Sequence, residues 1–230
     1  MKWWAFWANQ EYRAVSELLK GDGAKGIESV YGALPVPVRM HADPHHLGRG
    51  VTLAMVDSGF YPHPDLTQPR NRIRAWVDAT QEPVEAYFFA PHEQPRWPGW
   101  DSSAGPQWHG TMTSVVAAGS GFASDGRYRG LASEADLALV RVTGKDGRIR
   151  DGSIVRALRW LWHNAQRLRL RVVNLSVVGD EPAWPGNPID SAASALVQRG
   201  VTVVCASGNE GLRKLLPPAT CPDSITVGGL

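Results

Sequence analysis

The 230-residue chain reads as an α/β protein on a doubly wound, mostly parallel sheet with helices on both faces. Two observations predict this. Five short runs, 51–56, 135–142, 171–178, 201–206 and 224–227, are dominated by apolar residues. Continuous apolar runs of that length mark strands buried on both faces. Segments of helical character alternate with them, which is how a parallel sheet becomes covered on both sides.

Residues 1–47 are expected to form a leader, and 48–230 a single domain. Within the leader, 10–20 suits a helix with Val15, Leu18 and Leu19 on one face, ended by the Gly-rich 21–26. Residues 33–38, Ala-Leu-Pro-Val-Pro-Val, are expected to be extended, because a residue before proline is pushed out of the helical region. His41, His45 and His46 with Asp43 resemble a ligand cluster. No Cys or second acidic residue joins them, and a surface loop is preferred over a metal site.

The first strand, Val51 to Val56, closes at Asp57-Ser58-Gly59. Residues 79–108, rich in Pro and Trp, read as one long irregular excursion. Thr111 to Gly119 is a small-residue helix opened by His109-Gly110. The strand Ala135 to Val142 follows. Ile154 to Leu168 carries apolar residues at 154, 158, 161, 165 and 168, one buried helical stripe. Arg156, Arg159, Arg167, Arg169 and Arg171 are read as a solvent face in preference to a nucleic-acid patch. Then come the strand Arg171 to Val178, the Ala-rich helix Ile189 to Gln198 stopping at Gly200, and the strand Val201 to Ala206. Ser224 to Val227 is expected to be a buried strand.

Lys plus Arg number 24 against 22 acidic residues, a net charge of +2, so there is no electrostatic footprint for nucleic acid. No apolar run approaches the roughly 18 residues that cross a bilayer, and the one near Met1 is shorter than the core of a secretory signal. Neither nucleic acid nor membrane is therefore expected as a partner, and the compartment stays open. Cys205 and Cys221 are read as a buried strand cysteine and a loop cysteine in preference to one bridge.

In such a sheet functional groups gather beyond the carboxyl ends of the strands. Asp57, His109, Asn174-Leu175-Ser176 and Ser207-Gly208-Asn209 fall at or near such ends. Each alone has a structural explanation as a cap or turn.

Together, Val56-Asp57-Ser58-Gly59, His109-Gly110-Thr111, Val173-Asn174-Leu175-Ser176 and Ala206-Ser207-Gly208-Asn209-Glu210-Gly211 resemble, in order, motifs of the subtilisin-like serine proteases. His63-Pro64-Asp65-Leu66, Tyr128 to Ala132, and Pro218 to Gly228 extend the resemblance. It implies peptide-bond hydrolysis, with His109 as general base and Asp57 holding its imidazole. Asn209 would be the oxyanion donor. Ser176, Val177, Val178 and Gly179, with Ala206, Ser207 and Gly208, would line a cleft that pairs with an extended protein or peptide substrate. A monomer without a cofactor is expected.

Three departures from the family pattern matter. Its nucleophile motif, Gly-Thr-Ser-x-Ala, is absent from these 230 residues. The nearest imitation, Thr113-Ser114, is expected to point elsewhere from inside its helix. The chain is therefore expected to be the N-terminal part of an endopeptidase, inactive alone, with a non-catalytic peptide-binding protein as the alternative. Met112 stands where the family commonly has a second His. Val178 stands where it usually has Gly, which would narrow the primary pocket. Subtilases often bind calcium, and Asp65 matches a possible ligand, but one carboxylate does not make such a site, and no metal is expected.

Overall fold

The structure is a computed structural model and describes residues 35–99, 107–209 and 215–229. The helix expected at 10–20 and the Gly-rich 21–26 lie outside these residues. Seven strands form one sheet: β1 (Thr52–Asp57), β2 (Ile73–Asp78), β3 (Glu85–Phe88), β4 (Asp136–Arg141), β5 (Leu170–Leu175), β6 (Thr202–Ala206) and β7 (Ile225–Val227). Their order is β3-β2-β4-β1-β5-β6-β7. Every neighbouring pair is parallel except β2 with β3.

Helices cover both faces, as the sequence predicts. The helices are α1 (Val36–Arg39), α2 (Pro64–Thr67), α3 (Gln107–Ala118), α4 (Asp151–Leu168) and α5 (Pro188–Gln198). Side chains alternate along a strand, so β1 feeds two cores. Ala54 and Val56 pack with Leu158 and Leu161 of α4 and Leu196 of α5. Met55 joins Phe60, Leu66, Trp76, Trp97, Leu139 and Ala118 of α3 on the other side. Trp76 and Trp97 stack with ring centroids 5.6 Å apart and planes 10° from parallel. The predicted stripe of α4 is buried at all five positions, 154, 158, 161, 165 and 168. The side chain of Asn187 caps α5 by accepting from the N–H groups of Ile189 and Asp190, which satisfies two donors that a helix start leaves bare.

The structure corrects the sequence reading in four places. β3 lies inside 79–108 and pairs antiparallel with β2, so that segment is partly a hairpin. Residues 36–38 are helical, not extended. Pro35 stays extended as the N-cap, and Pro37 falls in the first turn, where a missing N–H costs nothing. Among the described residues helix α3 already includes Gln107, ahead of His109. β7 is exposed along its length, because among the described residues it is the sheet's edge and pairs only with β6.

Two arginines of α4 are engaged by the protein itself, while Arg159, Arg169 and Arg171 are exposed as expected. Arg156 donates to the carbonyls of Ala79 and Thr80 at 2.9 and 3.0 Å, and the Arg167 guanidinium lies 3.5 Å from the centre of the Phe88 ring. Cys205 and Cys221 are both free and buried. Among the described residues, no helix is long and apolar enough to cross a membrane.

Candidate active site

Asp57 ends β1, the strand flanked by β4 and β5, and is fully buried. A lone buried carboxylate would be costly, so it needs hydrogen-bond partners. Its Oδ1 accepts from the Ser58 N–H at 2.6 Å and the Ser58 hydroxyl at 3.1 Å. The same oxygen lies 2.7 Å from His109 Nδ1. The His109 side chain is 41% exposed, so the ring is held on its Nδ1 side while part of it faces solvent.

The His-Gly-Thr triplet is explained link by link. Gly110 is required because a Cβ there would lie 2.2 Å from the carbonyl oxygen of Gly59 and 3.0 Å from Asp57 Cβ. Without a side chain, the first turn of α3 rests directly on the end of β1. Thr111 ties the same turn to the loop after β1 by accepting from the Tyr61 N–H at 2.9 Å. His109 is thereby carried to Asp57 across 52 residues of sequence.

Thr113, expected to point elsewhere, instead places its hydroxyl 3.0 Å from Asp57 Oδ2. Ser114 is buried and donates to Gly110 O at 2.6 Å. The signal that could have revealed Thr113 is its i, i+4 spacing from His109, which puts both on one helix face. Met112 is exposed on α3. Trp97 belongs to the core, with its Nε1 3.3 Å from Phe60 O. Trp108 is exposed, its ring 5.8 Å from that of His109. Trp100 lies outside the described residues.

The expected cleft residues follow β5 and β6, the next two strands along the sheet. Asn174 donates to the Ser176 hydroxyl at 2.8 Å. Gly179 N–H donates to Pro217 O at 2.7 Å. Val177 is buried and Val178 half-buried. Val178 faces Gly208, where an added Cβ would meet its Cγ1 at 3.6 Å, so the two segments converge. Ala206 ends β6, the Ser207 N–H donates to Val227 O at 2.8 Å, and Gly208 has φ +86°, a conformation glycine adopts without strain. Asn209 follows, exposed. Glu210 and Gly211 lie outside the described residues.

Asp65 Oδ1 accepts from the Ala123 N–H at 2.7 Å, and its carbonyl oxygen accepts from Ser120 N–H and Arg72. Arg72 is buried there, and that burial pulls its guanidinium down to about 10. In the exposed 41–46 loop, Asp43 binds His45 Nδ1 at 2.9 Å and His46 Nδ1 at 3.0 Å. The His45 backbone N–H, then its ring, hold that carboxyl below its usual range.

Residues 48–230 match the family described as the subtilase family, Peptidase_S8. The chain is 31% identical over 191 residues to "Serine protease AprX" of Bacillus subtilis (strain 168), an alignment covering 80% of this chain and 39% of that protein. It is 30% identical over 182 residues to "Subtilisin BL" of Lederbergia lenta, covering 79% and 56%. Among solved structures, "S41 Psychrophilic Protease" superposes with a TM-score of 0.59 at 25% identity, covering 79% of this chain and 53% of that one. The chain thus spans about half the length of the relatives it matches.

Proposed function

The chain belongs to the subtilase family, and from that premise we propose that residues 48–230 supply the base, its orienter and the oxyanion donor of a serine endopeptidase. The observation that carries this reading is the 2.7 Å contact between His109 Nδ1 and the buried Asp57 Oδ1. A carboxylate accepting the Nδ1 proton fixes the tautomer whose Nε2 carries the free lone pair. Nε2 then takes the proton of an attacking hydroxyl and returns it to the leaving amine. Asp57 stabilises the imidazolium between those steps without itself being protonated.

Asn209 would donate its amide N–H to the oxyanion as the carbonyl carbon becomes tetrahedral. In this same family, loss of such a donor costs on the order of 10²–10³ in rate. Segments 176–179 and 206–208 would pair with an extended peptide as an added strand. Val178 against Gly208 favours small or slender side chains in the primary pocket. In the protein encoded by the whole gene, Val178→Gly is expected to raise kcat/KM for Phe relative to Ala at the cleaved position, measured on paired peptide substrates.

The nucleophile would come from outside residues 1–230. Two facts support this: the Ser114 hydroxyl is buried in a bond to Gly110 O, and the Thr113 hydroxyl is engaged with Asp57. Without a nucleophile, subtilisin-type machinery loses roughly 10⁶ in rate, so the 230-residue chain alone is expected not to hydrolyse peptides usefully. The same lack favours a second reading, a peptide-binding protein on this scaffold.

A fluorophosphonate probe separates the two. The enzyme reading expects the protein encoded by the whole gene to be labelled at a serine beyond residue 230, with labelling lost in His109→Ala. A gene that ends at residue 230, or a protein that never labels, favours the binder. Labelling at a serine within 1–230 would contradict both.

A further inference from the structure

We propose that Thr113 is a positioning residue that fixes the second oxygen of the Asp57 carboxylate, so that Asp57 and His109 act as a rigid pair. This inference rests on the peptidase reading for its consequence but on separate geometry for its mechanism. The torsion that turns an Asp carboxylate is broad and soft. One oxygen, Oδ1, is held by Ser58 and His109. Those contacts alone leave the carboxylate free to pivot about Oδ1 and swing its plane off the imidazole. Thr113 Oγ1, 3.0 Å from Oδ2, removes that freedom.

The hydroxyl has one proton and two acceptors within reach, because Gly110 O also lies 3.0 Å away. The competition is decided by what each acceptor already has. Gly110 O receives the Ser114 hydroxyl at 2.6 Å, and as a carbonyl inside α3 it is also an acceptor for the helix ladder, so both its lone pairs are committed. Oδ2 is buried, and the Thr113 hydroxyl stands within hydrogen-bond reach of it. The Thr113 proton therefore goes to Asp57.

The arrangement follows from helix geometry. His109 and Thr113 are i and i+4, so they stand one above the other on α3. One reaches Oδ1 and the other Oδ2 of the same carboxylate. A single rigid helix grips both oxygens, and Gly110 between them lets it come close enough to do so.

The test compares Thr113→Val, which swaps hydroxyl for methyl at equal shape, with Thr113→Ser, which keeps the hydroxyl. The readout in the 230-residue chain is the solvent exchange of the His109 Nδ1 proton, followed by NMR with ¹⁵N-labelled histidine. Thr113→Val is expected to speed exchange about tenfold and Thr113→Ser to stay within about threefold. In the peptidase-active protein, Thr113→Val is expected to lower kcat about tenfold with KM within about twofold, again restored by Ser. If Thr113→Val does not fold, as judged by circular dichroism, Thr113→Ala takes its place. Wild-type exchange in the Val variant, or equal damage in the Val and Ser variants, overturns the proposal. Exchange needs no nucleophile, so the positioning role can fail while hydrolysis persists, and the peptidase reading can fail while this contact stands.

Discussion

At Gly110 a single methyl group decides whether the two candidate groups meet. Gly110→Ala would push its Cβ into the Gly59 carbonyl oxygen, and overpacking of this kind costs about 1–3 kcal/mol. Urea denaturation is expected to show that loss with an unchanged m-value. Cys205 offers a different residue-scale effect. Burial first, then the nearby Cys221 and Asp190, push its thiol up to about 11, with Ser224 opposing. The folded chain keeps this proton between pH 9 and 11 while the unfolded chain sheds it, so stability falls as pH rises through that window. Thermal midpoints measured from pH 8 to 10.5 are expected to fall less steeply in Cys205→Ala than in wild type. Asp57 and His109 were legible as residues because their motifs stand in order along the sequence. The use of Thr113 was not, because sequence does not set how far α3 is rotated about its axis against β1. For the same reason the meaning of Gly110 emerged only with the backbone of Gly59 in place.

Among the elements, those with strong periodicity were readable and those held by tertiary contacts were not. Helix α4 announces itself through five apolar positions and is buried at each of them. β2 hides because Arg72 and Arg74 flank and interrupt its apolar residues. Their charges are accommodated by partners no local window contains: carbonyls of Ala135 and Asp65 for Arg72, and Asp136 for Arg74. β3 is four half-buried or exposed residues on one edge, too short and too weakly apolar to stand out within 79–108. Helix α4 also ends on a backbone feature the pattern did not reveal: Arg169 sits at φ +53°, ψ 42°, a left-handed cap that glycine fills more readily. Arg169→Gly is expected to stabilise the fold by about 0.5–1 kcal/mol in chemical denaturation.

For the molecule as a whole, fold class followed from alternation of apolar runs and helices, but exposure did not follow from apolarity. Ile225 and Val227 are 55% and 54% exposed on the β7 edge. Trp108, Met112 and Val116, spaced by four along α3, form a second exposed apolar line. Among the described residues β7 is an edge strand, which invites pairing with another chain, so the 230-residue chain by itself is expected to self-associate. Ile225→Lys with Val227→Lys should shift it toward monomer in sedimentation velocity. The stacked indoles of Trp76 and Trp97 have a consequence of another kind. Two nearly parallel chromophores with centroids 5.6 Å apart couple their electronic transitions, which makes the α3 side of the sheet spectroscopically distinct from the α4 side, where Trp160 and Trp162 lie apart from that stack. The chain therefore carries a native optical gauge of one layer's integrity, readable without any attached dye.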